Sequence, residues 1–357
     1  MFRLKHAIFL FVGIFLFFGF RSQAQDPSFS QYFASPLSLN PALTGTFDGR
    51  FRASSIYRDQ WRSALEKPIT TFSTGLDLRM PVRVRGKITK DAFSLGLLFL
   101  TDRMSAVDYT STQINLSAAY HKALSFRHHR FLTLGFQFGI IQRSINYQDL
   151  FFTDQFNGIN GYTDLSAENL PPNNIAFADF SWGVNYSAQN NRGFASFLGF
   201  AMQHFTQPQI NFFSTDPVET NNTTSRLPLR YVAHINFRLP LSSHIAFQPR
   251  AMASLQDPHF QADAGGSFRF LLSNTSGTAL HLGASARAVR DHKNLVLLDG
   301  LIGFFGIEYS QVLFGFSYDL NIGDFKSPAS FARRNAFEIS VAYLGNYQND
   351  LILCPKF

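Results

Sequence analysis

The sequence predicts an all-β fold: a transmembrane outer-membrane β-barrel of about 14 antiparallel strands, preceded by an extended N-terminal arm. Three observations carry that expectation. The residue balance comes first, because 42 Phe and 12 Tyr make the chain 16% aromatic against only 15% charged residues. That mix suits strands whose two faces meet different solvents. The second observation is period-two alternation in segments of about ten residues, the length a tilted strand needs to cross a bilayer. The third is an even count of such segments, with the long connections on one side and the short ones on the other.

The chain opens on an export signal. Arg3, Lys5 and His6 precede the apolar run Ala7 to Phe20, and Ser22-Gln23-Ala24 offers small residues at cleavage spacing, so residues 1–24 read as a signal peptide and Gln25 as the start of the mature chain. No later apolar run approaches the roughly 18 residues a membrane helix requires, which excludes a helical membrane protein. Mean hydropathy is -0.04, as in an ordinary soluble protein, so a secreted β-sandwich array is the rival fold at this point. The only cysteine, Cys354, cannot form an internal disulfide in an oxidising compartment. A net charge of +7 would fit nucleic acid, but export argues against that partner and for basic loops near anionic lipid or protein.

Residues 25–48 form the next unit, opening with "QDPSFSQYFASPLSLNPALTG", which has neither helical nor strand period. Pro27, Pro36 and Pro41 lower the entropy of the free segment, while Phe29, Tyr32 and Phe33 offer large contact surfaces with few rotatable bonds. The segment reads as a preorganised arm, either a plug in the barrel or a contact for a partner below its mouth.

Residues 49–357 then divide into strands expected near 49–59, 69–80, 91–101, 110–121, 130–142, 176–188 and 193–204, followed by 229–238, 244–254, 259–271, 278–288, 296–307, 311–320 and 335–344. In the second, Phe72, Leu76 and Leu78 share one face and Ser73, Asp77 and Arg79 the other. In the fifth, Leu132, Leu134, Phe136, Phe138 and Ile140 oppose Thr133, Gly135, Gln137 and Gly139. In the sixth, Phe180, Trp182, Val184 and Tyr186 oppose Asp179, Ser181, Gly183 and Asn185. The second face is rich in Gly, Ser, Asn and Gln with lone charges, which suits a crowded polar lumen better than the wet side of a sandwich. An even strand count puts both termini on the periplasmic side, with long connections such as 143–175 and 205–228 outside and short ones such as 188–192, 239–243 and 274–277 inside. The basic residues Arg83, Arg85, Lys87, Lys90, Lys122, Arg127 and Arg130 then face the periplasm.

Chemistry is sparse. The adjacent His128 and His129 of "FRHHR" point in opposite directions if extended and make a poor zinc site. Asp149, Asp154, Asn157, Asn160 and Asp164 could wrap calcium, yet their spacing is not that of an EF-hand, and a loop shaped by Asx turns is the plainer reading. His204, His234 and His281 could be paired with Ser196 or Ser285 for hydrolysis, but no nucleophile elbow accompanies them. No cofactor, metal or catalytic residue is expected.

Separated motifs carry a family resemblance. The run "QDPSFSQYFASPLSLNPALTGTFDGRFRASSIYRDQW", Asp154-Gln155-Phe156, His204-Phe205-Thr206-Gln207-Pro208, Leu227-Pro228-Leu229-Arg230-Tyr231, Ser317-Tyr318-Asp319 and Cys354-Pro355-Lys356-Phe357 together resemble the PorP/SprF family of type IX secretion membrane proteins. One position departs: where the family often has His-Glu at the last strand, this chain has Phe337-Glu338. The resemblance implies a non-enzymatic outer-membrane barrel of Bacteroidetes that helps secrete, anchor or present a surface protein, often an adhesin linked to gliding, through its C-terminal sorting domain. The implied partners are that client, translocon or periplasmic ring components, and outer-membrane lipid. A porin or transporter for a diffusible solute is the alternative. The residues expected to meet partners are Asp154, Gln155, Phe156, His204, Gln207 and Pro208 at the outer mouth, with Phe29, Tyr32 and Phe33 on the arm.

Overall fold

The computed structural model describes residues 26–345, apart from 66, 106, 126–128, 149, 160, 163, 169, 213–225, 274, 291–294 and 323–333. The signal peptide, Arg127, His128, Asp149, Asn160 and the motif at 354–357 therefore lie outside the described residues.

Alternation becomes sheet along the whole chain. The strands are β1 (Phe51–Gln60), β2 (Ile69–Val84), β3 (Lys87–Met104), β4 (Tyr109–Ala123), β5 (His129–Ile145), β6 (Asn174–Gln189) and β7 (Ala195–Gln203). They continue as β8 (Arg230–Pro240), β9 (Ile245–Gln256), β10 (His259–Ser273), β11 (Thr278–Arg290), β12 (Val296–Tyr309), β13 (Val312–Asn321) and β14 (Ala336–Gly345). Each pairs antiparallel with its sequence neighbours, and β1 closes on β14 with Phe51 opposite Gly345 and Gln60 opposite Ala336. The fold is thus a closed 14-strand antiparallel barrel. Closure leaves no strand edge, so the ladders satisfy the strand backbone without water.

The two faces of each strand meet opposite environments. Leu76, Phe136 and Ile140 are 44%, 57% and 54% exposed on the outside, while Asp77, Thr133 and Asn185 are 1%, 0% and 0% exposed on the inside. Burial is therefore inverted relative to a soluble protein: the wall shows its apolar residues to lipid and its polar residues to the lumen. A sandwich, whose apolar faces meet in a core, does not have this arrangement.

One pair of strands runs further than the alternation indicates. The β2–β3 hairpin continues past Met80 to Val84 and Lys87, with a register shift between Pro81 and Arg83. Its tip carries Arg83, Arg85 and Lys87, and both faces meet water there, so ladder hydrogen bonds persist while the apolar period is lost. Sequence patterning sees only the lipid-facing part.

The arm does not join the sheet. It makes a short 3-10 turn at Tyr32–Ala34, a single helical turn α1 (Pro36–Leu39) and a second 3-10 turn at Pro41–Leu43. Pro36 and Pro41 open the last two, where a missing N–H costs nothing. Between them the Asn40 side chain accepts a hydrogen bond from the Ala42 amide at 2.8 Å. Almost every arm residue from Asp26 to Phe47 is buried or half-buried, and the interior core of the molecule is where the arm meets the wall.

Candidate functional site

The lumen and its arm form the site, and the arm can be followed from one end of the barrel to the other. Asp26 lies beside the last residues of β7 and β9 and the first of β8, the end from which the long connections 146–173 and 204–229 leave. Gly45 lies beside Asp77, Ser94 and His121 near the opposite end, where the chain enters β1. Fourteen strands bring the start of β1 and the end of β14 to one end, but the arm carries residue 26 to the other. The expectation that both termini sit on one side therefore does not describe the beginning of the arm.

His204 holds that beginning. Its Nε2 is 2.5 Å from Asp26 Oδ2 and its Nδ1 is 2.9 Å from Asp179 Oδ1, with all three side chains buried. Arg230 stands 4.0 Å from the same Asp26 oxygen. Gln256 accepts from the Asp26 amide at 3.1 Å and donates back to its carboxylate at 3.2 Å. Burial works against both charges, yet for Asp26 the His204 imidazolium, followed by Arg230, outweighs it and keeps the carboxyl well below the usual carboxylate range. For His204 the same desolvation is outweighed by Asp26 and Asp179, which push the imidazole up to about 9. His204 also has a φ of 59°, an uncommon region for a non-glycine residue, and this backbone turns its ring inward.

A charged belt grips the next turn. The Ser30 and Gln31 amides each donate to the Glu338 carboxylate at 2.7 Å. Arg58 pairs with Glu338 and, at 3.1 Å, with Asp319. Arg287 lies 3.1 Å from both Asp263 and Asp319, and both guanidinium groups donate to Ser30 Oγ. Two cations and three carboxylates leave one negative charge in excess, which the arm's amides help to neutralise. Glu338 is fully buried, so acceptors this desolvated need those donors.

Below the belt the contacts become apolar. Phe29 packs with Ile56 and Leu100, and Tyr32, Leu39 and Leu43 pack with Ala201, Val232 and Met252. Phe33 meets Phe304 edge-on at 5.3 Å, with the Arg250 guanidinium 4.0 Å from its ring centre. Asn40 donates to the carbonyls of Val184 and Phe200 at 3.2 and 3.3 Å. The wall opposite is built of glycine: a Cβ at Gly135 would strike the Pro41–Ala42 backbone, and one at Gly183 would strike the Asn40 side chain. At the far end the Gly45 amide donates to Asp77 at 2.7 Å, and Arg52 pairs with the same carboxylate.

The residues expected to meet partners do not stay together. Phe29, Tyr32 and Phe33 are in the lumen, not below its mouth. Asp154, Gln155 and Phe156 are in the connection after β5, where Asp154 accepts from Ser166 and the Ala167 amide, and Gln155 from the Phe152 amide. Phe156 is 55% exposed, and its ring lies tilted against Tyr162 with centroids 5.3 Å apart. Asn157 accepts from the Ile159 amide at 2.9 Å, an Asx turn of the kind expected in this loop. Gln207 and Pro208 are half-buried at the exit of β7. His204, expected beside them at the mouth, is instead buried, because its two carboxylate neighbours lie inside the lumen. His234 and His281 also face inward, near Asn40 and Glu308 respectively. Among the described residues no three His, Cys, Asp or Glu side chains are grouped for a metal.

Sequence reasoning missed the residues that grip the arm. Glu338, Arg58, Arg287 and Asp179 are single charges on lumen faces, and the alternation gives their side but not their partners. Three motif residues do converge on the arm: His204 and Arg230 on Asp26, and Asp319 on Ser30.

Several solved structures are similar to this one. A Pseudomonas aeruginosa FadL homologue aligns with a TM-score of 0.47 at 10% identity, covering 85% of this chain and 92% of its own. The TodX monoaromatic hydrocarbon channel gives 0.46 at 10% identity, covering 88% and 94%. BamA from Haemophilus ducreyi lacking POTRA domains 1–3 gives 0.42 at 10% identity, covering 83% and 70%. No curated protein sequence matches the chain. The model of the type IX secretion system membrane protein PorP/SprF matches residues 21–343. With nearly the whole chain matched and a closed barrel around an ordered arm, the chain belongs to the PorP/SprF family of type IX secretion system membrane proteins.

Proposed function

We propose that this outer-membrane barrel is a non-enzymatic anchoring and presentation device, which holds a secreted adhesin-like surface protein through its C-terminal sorting domain. The observation that carries the reading is the arm. It fills the lumen from Asp26 to Phe47 with hydrogen bonds and ion pairs at each level, whereas a porin for a diffusible solute needs a continuous wet path. Family membership supports a role beside the secretion machinery. In this reading the long connections face outward, Phe156 with Tyr162 and Phe151 offers an aromatic contact to the client, and the basic β2–β3 tip faces translocon or periplasmic ring components. The start of β1 and the end of β14 are then periplasmic.

The test combines two measurements on the intact protein. Affinity purification in mild detergent, with mass spectrometry, is expected to recover a surface protein bearing a C-terminal sorting domain. Planar-bilayer recording is expected to show no steady conductance. A steady open conductance with no such client recovered would replace this reading with the porin.

A further inference from the structure

Beside the arm, on the β7–β14 side, the lumen keeps a cavity of about 190 Å³. It reaches the β12–β13 turn at Ser310 and Gln311, at the end where the short connections lie. Three lumen-facing donors meet there. Asn236 and Arg250 are directly opposite one another in the β8–β9 ladder, and Arg238 is the next lumen position along β8. Asn236 is 7% exposed, and its Nδ2 meets no acceptor among the described residues; neither does the buried Nε of Arg238. Arg250 donates to Gln248 at 2.9 Å and lies over Phe33, but forms no ion pair among the described residues.

The acids that line this cavity form no ion pair with those donors among the described residues, although the charge of Glu308 is felt at Arg238. Glu308 is taken by Arg269 at 2.8 Å and His281 at 3.4 Å. Asp48 makes no ion pair with Arg238 or Arg250. Arg52, Arg58 and Arg287 by contrast each have a carboxylate within 3.1 Å, while Arg143, which shares an unpartnered Nε with Arg238, is not in this cavity. Among the described residues, a guanidinium Nε and an amide Nδ2 without an acceptor, beside a second guanidinium that has no carboxylate, are costly in a partly desolvated space unless an anion completes them. Three phenyl rings also line the cavity, Phe33 from the arm, Phe197 from β7 and Phe304 from β12, beside polar side chains such as Ser54, Gln248 and Ser340. The rings favour an anion that carries an apolar body. The volume exceeds the roughly 150 Å³ that holds benzene in an engineered apolar cavity.

We propose that this cavity is a binding site for an organic carboxylate carried on an apolar or aromatic body, with Arg238, Arg250 and Asn236 holding the carboxylate and Phe33, Phe197 and Phe304 enclosing the body. Planar guanidinium groups suit a carboxylate because they can donate two parallel N–H bonds. The ligand can be the C-terminal residue of a polypeptide or a free acid, and the chemistry is the same. This inference rests on the lumen alone and does not require the anchoring reading.

Isothermal titration of the full barrel in lipid nanodiscs tests it with three probes: 3-phenylpropionate, N-acetyl-Ala-Ala-Phe with a free C-terminus, and the same peptide as its C-terminal amide. At least one carboxylate should bind saturably at one site per barrel, with the amide weaker by tenfold or more. Peptide binding tighter than the free acid identifies a chain terminus as the ligand, and the reverse order a small acid. Arg250→Gln and, separately, Arg238→Gln should each reduce binding by tenfold or more while the barrel still changes mobility on heating. The proposal is overturned if neither carboxylate titrates, if acid and amide bind alike, or if a heat-modifiable variant retains full affinity.

Discussion

At the scale of single residues, the lumen behaves as a set of buried charges that the arm completes. Glu338 receives two arm amides and one guanidinium, so Glu338→Ala leaves those amides without their acceptor and Arg58 with Asp319 as its carboxylate. Breaking a buried pair from one side costs about 3–5 kcal/mol. The expected outcome is an arm that a protease cuts near Ser30 in the variant but not in the parent. An arm equally protected in both would remove Glu338 from its gripping role. The His204 contact adds a pH dependence whose sign follows from the two shifts. Asp26 is held below its ordinary value, so its contribution is present above about pH 4 and is lost as pH falls through the depressed folded value. His204 is raised to about 9, so its contribution is full below about 6.5 and is lost as pH rises through about 9. The groups facing them are Asp179, Arg230 and Arg143. A nitroxide at Ser28→Cys, with Cys354 replaced by Ser, should be immobile near neutrality and gain mobility at both extremes. His204→Gln should abolish the alkaline step; a mobility independent of pH would refute the contact's role.

At the scale of elements, the arm and the wall fit because the wall gives way where the arm is bulky. Gly135 and Gly183 face Pro41, Ala42 and Asn40 closely enough that any side chain must displace them. Gly135→Val is therefore expected to push the second 3-10 turn away from the wall and to open a measurable conductance, with the barrel still resistant to dodecyl sulfate until heated. Deleting residues 27–43 should have the same effect in stronger form, since the arm contributes no strand to the ladder. It removes about 1.5–3 kcal/mol of burial for each of Phe29, Leu39 and Leu43, yet leaves the wall hydrogen bonds intact. Loss of heat-modifiability on deletion would mean that the arm is needed to build the barrel as well as to fill it. At the outer loop, Phe156→Ala is expected to weaken client retention by about 1–3 kcal/mol in a pull-down, with the barrel unchanged.

At the scale of the whole molecule, closure is what lets a chain with 15% charged residues sit in lipid. Every strand has two neighbours, so unheated protein in dodecyl sulfate should migrate apart from boiled protein, with a far-ultraviolet spectrum dominated by strand. Identical migration together with substantial helix would contradict the fold. Much of this architecture was legible in the sequence, because side chains on a strand alternate strictly and two solvents sort them. Asp77, Thr133 and Asn185 were assigned to the lumen from alternation, and they are there. Strand ends were less legible at the β2–β3 tip, where water bathes both faces and the period carries no information. Of the candidate site, the aromatic residues of the arm were legible as contact residues, but His204 was assigned to the mouth because its motif precedes a long loop. Its true partners are 178 and 25 residues away in sequence, and no local pattern reports a pairing across a lumen.

By itself the sequence determined the number of strands, their faces, the order of long and short connections and the existence of an arm without strand period, whose short helical turns it did not show. These follow from local chemistry: side-chain period, turn residues and proline act over a few positions. The tertiary structure alone decided that the arm runs the length of the lumen, that Glu338, Arg58, Arg287 and His204 hold it, and that Arg238 and Arg250 form no ion pair among the described residues. A buried charge is stable only with a partner. Which partner it finds depends on how fourteen strands curve around a common axis, and that curvature brings together residues as far apart as Ser30 and Glu338.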